Sequence, residues 1–213
     1  MNRQIFFFHL KLIITLKLRK FNVDKIEEFY SSKLKDLFIK NEKIIEILKI
    51  LKTYAPQAYL AAGVIRNTVW AHLHGQSFSL DQTEIDVIFY DPQDNGHKAL
   101  ELQKKMINLF PNIEWDITNQ AKVHVWYQTD TGTFIPPLRS IEHALSLWSE
   151  TATAIAVHLN DQDEIEYIAP FGLADLFELK LCWNQRLVSR DVFLARLNKK
   201  KFLEKWPKLQ IIF

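Results

Sequence analysis

Two carboxylates set two residues apart in an apolar run are the most chemically loaded feature of this 213-residue chain. The stretch TEIDVIFYDP, residues 83–92, has the Ile, Val, Phe and Tyr content of a β-strand and carries Glu84 and Asp86. Side chains two apart on a strand leave the same face, with their Cα atoms roughly 7 Å apart. A third acid, Asp116, lies in the apolar run IEWDI one helix further along. Grouped carboxylates repel each other, and burial aggravates the repulsion unless a cation intervenes. Hard oxygen ligands on a rigid sheet suit Mg²⁺ or Mn²⁺; Mg²⁺ usually takes only one or two carboxylates plus substrate phosphates. A pair of such ions stabilises the attacking and leaving oxygens of a phosphoryl or nucleotidyl transfer. The plain alternative is that Glu84 opens the strand in solvent and Asp86 accepts backbone hydrogen bonds.

Upstream, AAGVIRN supplies groups suited to an anion. Gly63 lets backbone come close to a phosphate, the helix that follows presents its N–H groups, and Arg66 in the first turn can contact a triphosphate oxygen. The alternative is a strand-to-helix turn with a surface arginine.

The elements that must hold these residues are legible from periodicity. Residues 24–53 carry apolar side chains at helical spacing, consistent with two helices broken near Asn41. AYLAAG, 58–63, reads as a short strand, and IRNTVWAHLHG as a helix stopping at Gly75. After the strand at 84–90, HKALELQKKMINLF is a helix closed by Pro111, and residues 113–117 form another strand. The alternation of helix and strand predicts an α/β unit. Further on, a helix runs from Ser140, its N-cap, to Leu147. TATAIAVHL and EIEYIAP pair as a hairpin across NDQD, and a last helix spans Val192 to Lys205. The expected organisation is a basic, apolar N-terminal extension at 1–22, a core with leading helices at 23–130, and a C-terminal region at 131–213.

Composition narrows the function classes. Residues 1–20 hold five basic residues and no acid, which leaves 22 basic against 25 acidic in the remainder. That balance argues against a broad nonspecific nucleic-acid surface. The apolar run of the opening segment is interrupted by Lys11 after only six residues and no A-x-A-like cleavage site follows, so it reads as a loosely attached extension, with a peripheral membrane helix as the alternative. Translation from a non-AUG codon near Val23 would remove it. Cys182 is the only cysteine, which excludes an internal disulfide; the expected location is the cytoplasm.

Taken in order, LAAGVIRNTVWAHLHG, TEIDVIFYD and EWDITNQAKVHVWY resemble nucleotidyltransferases of the polymerase-beta superfamily. The turn is similar to the G-G-x-V-R-D signature of tRNA nucleotidyltransferases, which is followed by a D-x-D strand. A bacterial, largely uncharacterised nucleotidyltransferase-like family is closer still, through AGVIRN, IDVIFYDP, WDITNQAKVH, WSETATAIAVHL, APFGLADLFELKL and KKKFLEKWPKL, over about residues 42–210. The resemblance implies a minimal polymerase-beta-like core with a mixed sheet, followed by a smaller α+β region. It further implies Mg²⁺ on Glu84, Asp86 and Asp116, with Asp116 activating an acceptor hydroxyl, and an NTP whose phosphates meet Gly63, Arg66 and Asn67. The implied reaction moves a nucleoside monophosphate to an acceptor hydroxyl on RNA, a protein or a small molecule, releasing pyrophosphate. Two positions depart from the pattern: Ala62 replaces the first glycine, and Glu84 stands where aspartate is usual. A binding or regulatory protein that keeps the pocket without turnover is therefore the competing expectation, and a protein–protein partner without nucleotide affinity is a third.

Several other residues have two readings. Asn119, Gln120, Lys122 and His124 could contact a base or acceptor, or Asn119 caps a helix and His124 is half-buried packing. His72 and His74, two apart on a helix, cannot share a metal readily. Trp115, Trp126, Trp148 and Trp183 read as core, and KKK at 199–201, with Arg196 and Lys205, reads as a solvated helix face.

Overall fold

A computed structural model describes residues 22–81 and 83–213. The N-terminal extension, apart from Asn22, lies outside the described residues. Helix α1, described over 22–39, is followed by α2 (Glu42–Tyr54), β1 (Tyr59–Ala61), α3 (Gly63–His74), β2 (Glu84–Phe89), α4 (His97–Leu109) and β3 (Glu114–Asn119). Asn41 separates the first two helices by accepting the Ile44 N–H at 3.1 Å, and Gly75 ends α3 in the left-handed conformation. Both stops fall where the sequence places them.

The strands form one mixed sheet in the order β3-β2-β1-β4-β5, where β4 is Ala156–Leu159 and β5 is Ile165–Ile168. β2 and β3 are parallel; the other pairings are antiparallel. The sheet therefore draws strands from both sides of residue 131. One face, built from Leu60, Ile85, Val87, Trp115, Ile117 and Val157, packs with buried residues of α2, α3 and α4 in the main core. Alternation sends Ala61, Asp86, Ile88, Asp116 and Ala156 to the opposite face. There a smaller apolar cluster gathers under α5 (Ile141–Leu145), whose N-cap Ser140 accepts from His143 N–H at 3.0 Å.

The C-terminal region differs from expectation in two details. Residues 151–153 of TATAIAVHL form a 3₁₀ turn, so β4 starts only at Ala156. The last helix is two: α7 (Arg190–Lys200) and α8 (Phe202–Lys205), divided by Lys201 at φ 52°. Between β5 and α7 lie the short α6 (Ala174–Phe177) and β6 (Lys180–Cys182), and β6 pairs in parallel with the last strand, β7 (Gln210–Ile212). This region is fastened to the core: Trp70 of α3 is fully buried, and its indole N–H donates to the Leu176 carbonyl at 3.0 Å. No helix among the described residues is long and apolar enough to cross a membrane.

The turn from β1 into α3 carries the one backbone strain that bears on the site. Ala62 sits at φ 56°, ψ −118°, a conformation that L side chains rarely adopt and glycine adopts freely. Gly63, its neighbour, is the first residue of the helix. The demand for glycine therefore falls on the position that holds alanine. Replacing Ala62 by Gly is expected to stabilise the protein by about 1 kcal/mol, the strain relief being partly offset by extra unfolded-state freedom. A urea midpoint that falls on Ala62→Gly would contradict this assignment of strain.

Candidate active site

In the β2–β3 pairing, Glu84 stands beside Glu114 and Asp86 beside Asp116. Parallel neighbours in register place the Asp86 and Asp116 carboxylates side by side on the sheet face that is free of α2–α4. Asp86 is half-buried; Asp116 and Glu84 are exposed. Burial, then the negative charges of Asp116 and Glu84, push the Asp86 carboxyl up to about 6, although the Gly63 N–H donates to it and Arg66 lies nearby. The Thr118 hydroxyl donates to Asp116 Oδ1 at 2.9 Å. The β2–β3 register thus brings Asp86 and Asp116 together, and the positive end of α3 reaches Asp86 through the Gly63 N–H. A methyl at Gly63 would meet Arg66 Nη2 at 3.7 Å and Asp86 Oδ2 at 3.9 Å, both ordinary contacts, so the work of this residue is done by its N–H.

Arg66 differs from a surface arginine. It is only 6% exposed, and its guanidinium lies 4.6 Å from the centre of the Phe202 ring and 5.4 Å from that of Trp70. Nη1 donates to Thr153 Oγ1 at 3.1 Å, while Nε and Nη2 both reach Asn67 Oδ1 at 3.2 Å. Burial lowers its basicity to about 10, an effect opposed mainly by Glu150. It remains charged at neutral pH and still lines the cleft.

That cleft, of about 710 Å³, has a polar end at Gly63, Glu84, Asp86 and Asp116 and an apolar end that includes Val123, Ile135, Leu138 and Leu187. Its far wall is α7. Arg196, Lys200 and, from α8, Lys205 line it, whereas Lys199 and Lys201 of the same run are exposed as a solvated face requires. Arg196 Nε pairs with Glu150 Oε1 at 2.5 Å, and Lys200 Nζ with Glu84 Oε2 at 3.3 Å. Glu150 is 0% exposed and its Oε2 has no hydrogen-bond partner. Nothing in the run SETAT marks a buried acid, and only the i, i+4 spacing of Arg196 and Lys200 hinted that they act together. Trp126, read as core, is 61% exposed at the rim of the cleft.

The remaining candidates divide. Asn119 is buried and caps a 3₁₀ turn at 120–125: its Oδ1 accepts from Ala121 and Asp91 N–H groups, and its Nδ2 donates to the Asp91 carbonyl. Lys122 donates to the Pro92 carbonyl at 2.7 Å. These two fasten the loop after β2. Gln120 is buried and lines the cleft; His124, half-buried, is not among the lining residues, and its Nδ1 has no partner. His74 is occupied on both ring nitrogens, at 2.7 Å from the Trp70 carbonyl and accepting from Lys208 N–H at 3.2 Å.

Among the described residues no three His, Cys, Asp or Glu side chains form a ready-made metal cage. The donor set nevertheless fits Mg²⁺ or Mn²⁺: two carboxylates in register beside a cleft, with Asp86 raised by burial and then by the charge of Asp116, match an ion that completes its shell with phosphates and water.

Comparison with solved structures agrees with this architecture. An NMR structure described as a CCA-adding enzyme head domain is 28% identical, with 84% of this chain and 94% of that one covered and a TM-score of 0.71. A CCA-adding enzyme in complex with CTP is 18% identical over 84% of this chain and 43% of its own, with a TM-score of 0.55. The Thermotoga maritima CCA-adding enzyme in complex with tRNA is also 18% identical, with 42% of its length covered and a TM-score of 0.51. The chain thus spans less than half the length of these two enzymes, and the likeness to them is one of fold. No curated protein matches. A family model described as nucleotidyltransferase matches residues 49–211, which takes in the carboxylate strands, the β1–α3 turn and the α7 wall, and the chain belongs to that nucleotidyltransferase family.

Proposed function

We propose that the protein is a metal-dependent nucleotidyltransferase that moves a nucleoside monophosphate from an NTP to an acceptor hydroxyl with release of pyrophosphate. The observation that carries this reading is the in-register pair Asp86 and Asp116, facing a cleft beside the N-terminus of α3. Glu84, Asp86 and Asp116 would hold Mg²⁺ or Mn²⁺, which supplies charge neutralisation at the transferring phosphorus and at the leaving oxygens. Gly63, at the positive end of α3, is suited to a phosphate oxygen. Arg66 is half of that site: its stacking on Phe202 and its bond to Thr153 hold the charge in place, while Asn67 fixes two of its nitrogens. Asp116, one oxygen occupied by Thr118, accepts the proton of the attacking hydroxyl. The apolar end of the cleft excludes water and receives a base or the acceptor, with Gln120 on its wall. CCA-adding enzymes with this fold have been solved with CTP, ATP and tRNA, which makes nucleotides and RNA reasonable first substrates to try; a protein or small-molecule acceptor would use the same chemistry. The division of labour we assign is a core at 23–130 carrying the carboxylates and a region at 131–213 carrying the opposing cations. A soluble, cytoplasmic setting is consistent with this chemistry.

A second reading has two observations in its favour. Strain at Ala62 and the engagement of Glu84 by Lys200 would suit a nucleotide-binding protein with reduced turnover.

The experiment is pyrophosphate release from each of the four NTPs with Mg²⁺, with RNA and small hydroxyl acceptors. Asp86→Asn and Asp116→Asn should each lower the rate at least a hundredfold, and NTP with Mg²⁺ should raise the melting temperature of wild type but not of Asp86→Asn. Thermal stabilisation without pyrophosphate selects the second reading; neither response refutes both.

Asp86 also predicts a pH dependence in metal-free protein. Its native carboxyl is pushed up to about 6 from an ordinary 3.8, so between those values the native state binds the proton that the unfolded state has lost. Stability contributed by this group therefore falls as pH rises from about 4 to about 6 and is level above, a change of about 1–3 kcal/mol. Carboxylates with lowered values, such as Asp163, act in the opposite sense below that window. The measurable quantity is the difference in denaturant stability between wild type and Asp86→Asn, which should grow in favour of the variant as pH rises to 6; a flat difference rules out a raised Asp86 carboxyl.

A further inference from the structure

Helix α7 faces the cleft with Val192, Arg196 and Lys200, each four residues from the next. Its two cations meet carboxylates in unlike settings. Arg196 pairs with Glu150, which is fully buried, and breaking that pair would leave a charge uncompensated in the interior. Lys200 pairs with Glu84 where both side chains are close to half exposed, at 40% and 47%. Exposed pairs of this kind contribute little and re-form with other partners readily. One rung is fixed and the other is exchangeable.

Resting on the nucleotidyl-transfer reading, we propose that Lys200 is a placeholder for the divalent cation at Glu84 and becomes a contact to the NTP polyphosphate when it is displaced. Glu84 shares a sheet face with Asp86 and lies two residues along the same strand, so a cation held by the acids competes with the ammonium for the same carboxylate. The displaced ammonium has three N–H donors and no acceptor, and the Arg196–Glu150 pair one turn away keeps α7, and with it Lys200, beside the cleft. The anion that enters with the metal is the partner nearest in chemistry. The exchange leaves each charge paired: Glu84 trades the ammonium for the divalent cation, and Lys200 trades a carboxylate for a phosphate. This gives the C-terminal region a nucleotide-sensing contact that the carboxylate strands lack.

The test uses the full chain as wild type, Lys200→Ala and Lys200→Arg, with Mn²⁺ binding measured by titration calorimetry without nucleotide and then NTP binding measured with Mg²⁺. A placeholder predicts effects of opposite sign: Lys200→Ala should bind Mn²⁺ alone about threefold more tightly and the NTP about tenfold more weakly. Lys200→Arg should stay near wild type in both, and Lys200→Ala should gain no Mn²⁺ affinity in a Glu84→Gln background. Unchanged or weaker Mn²⁺ affinity in Lys200→Ala overturns the placeholder. Tighter Mn²⁺ with unchanged NTP affinity overturns the phosphate contact. Wild type that binds no NTP overturns the transfer reading and the phosphate contact together, while the Mn²⁺ arm still decides whether Lys200 competes for Glu84. Near-equal melting temperatures across the set show that folding is not the cause.

Discussion

The parallel register of β2 on β3 is the constraint on which the site depends. It places Asp86 against Asp116, two like charges that neither strand would choose for its own stability. The arrangement persists because the opposite faces of the same strands, Ile85, Val87, Trp115 and Ile117, are buried in the main core, and a slip of one residue would turn every one of them to the cleft. Packing on one side of the sheet thus holds electrostatic repulsion in place on the other. A hydrogen bond from Gly63 and the nearby charge of Arg66 offset part of that repulsion without relieving it.

Around this pair the protein distributes positive charge by depth. Arg66 is buried, stacked and bonded, so it is a fixed part of the wall. Arg196 is anchored through a buried glutamate at one end of its reach and open to the cleft on the rest. Lys200 is the most exposed of the three. Order therefore decreases along α7 from the anchored turn to the last one, and the cleft is bounded by cations of graded freedom. Coupling between the halves of the chain is equally physical: Phe202 of the C-terminal region carries the Arg66 guanidinium, and Leu176 takes the Trp70 indole proton.

Much of this was readable in the sequence where local chemistry decides it. Alternation in TEIDVIF, the break near Asn41, the cap at Ser140 and the stop at Gly75 are short-range signals, and the strands and helices follow them. The turn AAGVIRN and the E-x-D strand were visible as a pair of features, yet their union required strand order, which no local pattern contains. What was misread shares one cause. Arg196 and Lys200 look like solvent residues because α7 is polar over much of its surface, and only the tertiary position of the helix turns them inward. Lys201 carries no turn signature to divide the last helix. Glu150 gave no sign of burial, since its partner is 46 residues away. Trp126 is the inverse case, an apolar residue that tertiary structure leaves outside.

β3 is one of the two edge strands of the sheet, and it carries Asp116. An unpaired edge of six residues is a template on which another chain can add a strand. Here the Trp115 carbonyl already accepts from the Gln103 amide of α4 at 3.0 Å, and Glu114 and Asp116 leave that strand exposed and negative. A second copy laid alongside in register would bring its own Glu114 and Asp116 against these. The acids of this edge strand therefore also keep the sheet from growing, so that neutralising them for the sake of stability would remove a guard against self-association.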